Sequence, residues 1–141
     1  MKKSLLSILV VVLSAFLFTS TGIAKPPADL YKAELKGSLV VGQNGNLMLK
    51  IVPAKGFKWN KAYPAKLVLS DGSNVSFPKK EYKQLKGEMK PVGKDCAVEI
   101  AARGAKAGAE KVDAVIQMSI CNEVTCHVLR KEKLTLAINV K

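Results

Sequence analysis

The chain has 141 residues, with 23 Lys and Arg against 11 Asp and Glu, giving a formal net charge of +12. The basic residues are spread along the chain, lysine far outnumbers arginine, and aromatic residues make up only 6% of the total. That pattern argues against a nucleic-acid binder, whose usual footprint is clustered arginine with exposed aromatics. It reads instead as a solvated surface and a steering field toward acidic proteins or anionic surfaces.

Residues 1–24 read as a secretory signal peptide. Lys2 and Lys3 supply the positive start, Leu5 to Phe18 form the apolar stretch, and Gly22 and Ala24 occupy the −3 and −1 positions of a cleavage site. The apolar stretch is shorter than the roughly 20 residues of a membrane span. Membrane contact is therefore expected only in transit, and the expected location is the periplasm. No cysteine lies near the cleavage site, so lipid attachment is not expected. Removing Lys2 and Lys3 lowers the net charge from +12 to +10 and leaves residues 25–141, enough for one domain core.

Beyond residue 24, apolar residues recur with period two, the signature of half-buried strands. Tyr31, Ala33 and Leu35 alternate with Lys32, Glu34 and Lys36, and Leu47, Leu49 and Ile51 with Met48, Lys50 and Val52. Leu67 and Leu69 form a shorter run between Pro64 and Asp71-Gly72. The stretch Lys79 to Lys94 is rich in lysine and glycine and is expected to be exposed and mobile, with Glu81, Tyr82 and Leu85 in a short irregular element. Cys96, Val98 and Ile100 form the next run, then Val112, Ala114, Ile116, Met118 and Ile120, and finally Leu134, Leu136, Ile138 and Val140. Turn signals at 42–45, 71–72, 91–93 and 104–108 separate the runs. Six or seven short strands, each apolar on one face, predict an all-β fold. The expected form is an immunoglobulin-like antiparallel β-sandwich of about seven strands, with a small barrel as the alternative.

Three cysteines, Cys96, Cys121 and Cys126, remain after export, which places them where disulfides persist. An odd count leaves at least one thiol over within a monomer. Cys96 is in phase with Val98 and Ile100 and is expected in the core. A strand running into Cys121, four residues, then Cys126 suggests a hairpin tip bracketed by two cysteines close enough to bond. A disulfide closing so short a loop removes little chain entropy, which suits a bond that opens and closes. His127, Arg130 and Lys131 follow Cys126 and favour a thiolate there, whereas Glu123 opposes one at Cys121. Four readings of the pair stay open: an inert structural disulfide, redox exchange, a Cu(I) or Zn(II) site with His127, and a stretched haem-attachment motif. A second stretch, Pro53 to Leu67, gathers Phe57, Trp59 and Tyr63. These aromatics either plug one end of the sandwich or shield the cysteine pair from stray thiols.

The segment Gly56-Phe57-Lys58-Trp59-Asn60-Lys61 with Tyr63-Pro64, the glycine turn at 104–108, Ile120-Cys121, the Cys121 and Cys126 pair and the closing Leu134 to Ile138 strand resemble one known family. It is the N-terminal periplasmic domain of the thiol:disulfide interchange protein DsbD, with its stand-alone relatives. The resemblance covers most of residues 25–141. It implies an immunoglobulin-like sandwich and a redox-active cysteine pair in a hairpin under a cap loop; no cofactor or metal is expected. It further implies mixed disulfides with thioredoxin-fold or other periplasmic thiol proteins, formed by the second cysteine, here Cys126, with Cys121 resolving. The chain would then be a carrier or component of a thiol–disulfide oxidoreductase system. Two features depart from the family pattern. The cysteine spacing is slightly shorter, and His127-Val128-Leu129 stands where DsbD has prolines. No membrane or thioredoxin-like domain follows before Lys141, so electrons are expected to come from a separate partner. The rival expectation is a non-catalytic exported binding module.

Overall fold

The computed structural model describes residues 29–141; the expected signal peptide and its cleavage site lie outside the described residues. Ten strands follow in order: β1 (Tyr31–Lys36), β2 (Asn44–Pro53), β3 (Lys58–Trp59), β4 (Lys66–Leu69), β5 (Val75–Ser76), β6 (Glu81–Lys83), β7 (Met89–Val92), β8 (Asp95–Gly104), β9 (Gly108–Cys121) and β10 (Cys126–Val140). A single 3-10 turn, Gln84–Lys86, separates β6 from β7.

The strands form two five-stranded sheets. In one, β1, β2 and β8 lie side by side, and both β5 and β7 pair with β8; in the other, β10, β9, β4 and β6 lie in order, and β3 pairs with β9 beyond β4. Every pair of named strands is antiparallel. The set β1-β2-β8-β7 opposite β4-β9-β10 reproduces the ABED and CFG sheets of the immunoglobulin constant-type topology. The fold is thus an immunoglobulin-like sandwich, and β9–β10 is its F–G hairpin.

The period-two runs account for the core. Leu47, Leu49 and Ile51 on β2, Leu67 and Leu69 on β4, and Cys96, Val98 and Ile100 on β8 are buried, as are the alternating residues of β9 and the end of β10. Edge strand β1 is shallower, with Tyr31 and Leu35 half-buried and Ala33 exposed. The strand count exceeds the seven expected because β3, β5 and β6 are only two or three residues long. Alternation is not visible in so few positions.

The lysine-rich stretch 79–94 departs from expectation: it is folded into the sandwich. Tyr82 on β6 and Met89 on β7 are buried. The Tyr82 hydroxyl accepts the Ala101 backbone N–H at 3.1 Å, tying β6 in one sheet to β8 in the other. One inward residue per short strand anchors the stretch, while its lysines point outward and pair on the surface: Lys79 with Glu88, Lys80 with Asp71 and Lys83 with Glu81. Such exposed pairs contribute little individually, so the anchoring comes from the buried ring. Leu85, 80% exposed, and the outward lysines keep the expected exposure.

Replacing Tyr82 by alanine is expected to cost about 3–5 kcal/mol, the range for losing a buried aromatic. Leu85→Ala is expected to stay within about 0.5 kcal/mol of the parent, as for an unengaged surface residue. Urea unfolding of the two variants separates a folded segment from an exposed loop.

Candidate functional site

The β9–β10 hairpin is paired from Gly108/Val140 up to Cys121/Cys126. Its register changes once, between Leu129 and Glu132, where Leu129 faces Met118 and Glu132 faces Ile116. Three steps on β10 match two on β9, so one residue is extra, and Lys131 takes a left-handed backbone with φ 55°. This is a β-bulge. Counting back from Glu132 without the extra residue would set His127, not Cys126, opposite Cys121. The bulge therefore brings the two cysteines face to face. It also reverses the inward parity of β10, from Leu129 before it to Leu134, Leu136 and Ile138 after it. Tyr31 secures the residue just past the bulge, its hydroxyl donating to Glu132 Oε1 at 2.9 Å. Burial, and then the neighbouring Glu132 carboxylate, push the Tyr31 phenol above its ordinary range, keeping it a donor.

At the tip, Asn122 closes the turn. Its backbone N–H donates to the Thr125 carbonyl at 2.9 Å. Its side-chain Oδ1 accepts the N–H groups of Val124 at 2.9 Å and Thr125 at 2.7 Å, the Asx arrangement that favours asparagine in turns. The next pair outward in the ladder, Cys121 and Cys126, is joined by a disulfide with Cα atoms 4.0 Å apart. The two cysteines differ in access: Cys121 is 7% exposed, whereas Cys126 is an exposed residue on edge strand β10.

Cys121 is covered from the other side of β9. Lys58 pairs with Cys121 and Trp59 with Ile120, and the Trp59 N–H donates to the Lys94 carbonyl at 2.8 Å. Lys94 sits there because Gly93, with φ 61°, supplies the positive φ that the two-residue turn from β7 to β8 needs at its first position. Two grooves meet at Cys121. One, about 250 Å³, is lined by Gly56, Phe57, Lys58, Lys94, Cys121, Asn122 and Glu123. The other, about 420 Å³, runs from Cys121, Lys58 and Lys94 along Trp59, Asn60, Lys61, Ala62 and Gly93. The lysines that share a groove with a cysteine are thus beside Cys121. The convergence of β3 and the β7–β8 turn adds Lys58 and Lys94 to Glu123 beside Cys121.

The three aromatics separate. Phe57 is half-buried, lines the smaller groove, and has its ring centroid 5.9 Å from that of His127. Trp59 is buried in the core, with its indole N–H donating to Gln84 Oε1 at 2.6 Å, and it contributes to the wall of the larger groove. Tyr63 is half-buried against the core and lines neither groove. Phe57 is the aromatic nearest the tip.

Two polar residues behind the disulfide escape a search of the sequence for cysteines and charges. The Ser119 hydroxyl lies 3.8 Å from Cys121 Sγ, and Asn60 Nδ2 donates to that hydroxyl at 3.3 Å. Ser119 falls between the stretches of β9 that pair with β3 and with β4, and its carbonyl accepts the Asn60 N–H at 2.9 Å. Its spacing of two residues before Cys121, on a strand, was the available signal: such residues share a face.

Cys96 is the free thiol. It is fully buried in line with Val98 and Ile100, and burial pushes its thiol up to about 12. Among the described residues no group of three or more His, Cys, Asp or Glu side chains is placed to hold a metal ion, and Cys121 and Cys126 are bonded to each other.

No family model matches this chain, and no curated protein is similar to it. Among solved structures, murine CRIg aligns over 79% of this chain and 98% of its own length, at 10% identity and a TM-score of 0.35. A likeness at that level assigns no function.

The Cys96 shift has a pH consequence. Its folded value lies above that of the exposed thiol, so between about pH 9 and about 12 the unfolded chain releases a proton that the folded chain keeps. Stability is therefore expected to fall as pH rises through this window, by up to one proton's linkage. Urea unfolding from pH 8 upward, with Cys121 and Cys126 both replaced by serine to prevent scrambling, should show this slope. Adding Cys96→Ala should reduce the slope, leaving the part that comes from Tyr31, whose phenol is raised in the same direction.

Proposed function

We propose that this chain is an exported thiol–disulfide exchange module, a carrier or redox partner acting in the periplasm through Cys121 and Cys126. The reading matches the resemblance to the DsbD N-terminal domain. The observation that carries it is the placement of the disulfide at a tip that Asn122 and the backbone ladder already hold. By chain entropy a bond spanning five residues contributes about 2 kcal/mol, against about 4.7 kcal/mol for a 100-residue loop. Opening it costs the fold little. Cys126 is the exposed residue of the pair and the one offered to a partner, while Phe57, packed beside His127, lines a groove at Cys121. Exchange then proceeds by attack of a partner thiolate on the disulfide and release by a second thiol.

The lysines bordering Cys121 give the site a direction for partners. Lys58, Lys61 and Lys94 make this edge of the tip positive, which favours a partner with an acidic rim. Thioredoxin-fold or other thiol proteins of that kind are the proposed partners.

A second reading rests on Val124, which projects from the tip at 93% exposure. An apolar apex of that kind suits a non-catalytic binding module whose disulfide only shapes the loop.

Equilibration with glutathione buffers separates the two. The exchange reading expects a reduction potential less negative than about −300 mV. It also expects a Cys121→Ser variant to trap a mixed disulfide with a thioredoxin-fold dithiol protein through Cys126. A more negative potential with no trapped complex would exclude it. The binding-module reading expects partner binding to survive replacement of both cysteines by serine.

A further inference from the structure

Ser119 is the one fully buried polar residue among those described, 1% exposed, and its hydroxyl touches the disulfide. A sulfur in a disulfide carries no hydrogen, so in the 3.8 Å contact Ser119 donates and Cys121 Sγ accepts. Asn60 enforces that direction from the other side. Its Oδ1 accepts the Ala62 N–H at 3.0 Å, which leaves Nδ2 facing Ser119 Oγ at 3.3 Å. Because Asn60 donates to the hydroxyl oxygen, the hydroxyl hydrogen is left for the sulfur. The chain Ala62 N–H to Asn60, Asn60 to Ser119, Ser119 to Cys121 therefore runs in one sense. It ends on one sulfur of the pair.

A donor that contacts a neutral disulfide weakly contacts a thiolate far more strongly, since hydrogen bonds to a charged acceptor are roughly twice as strong as those between neutral groups. The leaving sulfur in thiol exchange develops that charge, and a lower leaving-group pKa speeds departure. Building on the exchange reading above, we infer that Ser119, oriented by Asn60, stabilises the thiolate that forms on Cys121, and so directs partners to bond with Cys126. In the step, the partner thiolate attacks Cys126 Sγ and a new sulfur–sulfur bond forms. The Cys121–Cys126 bond breaks and its electron pair passes to Cys121 Sγ. The partner sulfur is oxidised, Cys121 is reduced, and no proton is consumed. A second partner thiolate then displaces Cys126, completing oxidation of the partner dithiol to a disulfide. Ser119 contacts the reacting sulfur; Asn60 is a positioning residue acting through it. Of the charged groups in the grooves that Cys121 lines, Lys58, Lys61 and Lys94 favour the same charge and Glu123 opposes it.

The test is a pH titration of the reduced protein carrying Cys126→Ala, followed by ultraviolet thiolate absorbance. Cys96, pushed up to about 12 by burial, stays silent at neutral pH. Ser119→Ala is expected to raise the Cys121 midpoint by about one pH unit, a roughly tenfold loss of thiolate below the midpoint. Ser119→Thr, which keeps a hydroxyl, should restore most of it. Asn60→Ala, at a half-buried position, should move the midpoint less and in the same direction. An unchanged midpoint in Ser119→Ala, with circular dichroism showing an intact fold, would overturn the inference. If Ser119→Ala does not fold, an unchanged midpoint in Asn60→Ala overturns it instead. The titration involves no partner, so it is separable from the exchange test. A shifted midpoint with a potential below the exchange range keeps the Ser119 donor and refutes exchange; normal exchange with an unshifted midpoint refutes the donor alone.

Discussion

The extra residue between Leu129 and Glu132 governs what the long hairpin can present at its tip. Strand register is binary, because a shift of one residue sends every side chain to the opposite face. Below the bulge, β10 must turn Leu134, Leu136, Ile138 and Val140 into the core. Continued without interruption, that register would bring His127 opposite Cys121 and leave Cys126 one step out of reach. The bulge resolves the conflict at an edge strand, where an unpaired residue is tolerated and the added twist discourages pairing with another chain. Core packing and cysteine pairing can then both be satisfied on one strand. The Tyr31–Glu132 hydrogen bond holds the reset in place from β1 in the opposite sheet.

With the register set, the tip holds its shape through backbone and amide interactions. Asn122 satisfies the N–H groups of Val124 and Thr125, which would otherwise depend on water, and the ladder resumes at the cysteine pair. The disulfide adds a covalent closure to a turn that is already closed. In antibody domains the conserved bond joins strands B and F across the two sheets; here it joins F and G within one sheet and lies outside the core. Stability therefore rests on the apolar rows of β2, β4, β8, β9 and β10. The surroundings of the two sulfurs are unequal. Cys126 is accessible, while Cys121 is enclosed by lysines and a donated hydroxyl.

Period-two alternation made the major strands readable, because each of β2, β8, β9 and β10 spans enough positions to show which face is apolar. It also placed Cys96 in the core. Strands β3, β5 and β6 were hidden because two or three residues carry no period. The Lys79–Lys94 stretch was misread for a related reason: composition weighs its many lysines, while its place in the fold is set by Tyr82 and Met89 alone. The bulge did leave a trace in the sequence, in the change from odd-numbered Leu129 to even-numbered Leu134 as the buried series. The charge beside Cys121 was legible only in part: Glu123 is a neighbour in sequence, whereas Lys58 and Lys94 reach Cys121 through strand pairing and a tight turn. Ser119 and Asn60, 59 residues apart, meet for the same reason.

The central claim is that the Cys121–Cys126 bond opens without disturbing the hairpin that carries it. Amide hydrogen exchange of the oxidised and reduced protein measures this directly. The expected result is unchanged protection for the inner β9–β10 ladder, from Val112 to Met118 and from Leu129 to Ile138, with any change confined to residues 120–127. Loss of protection along the whole hairpin on reduction would contradict the account, and would make the disulfide a structural staple.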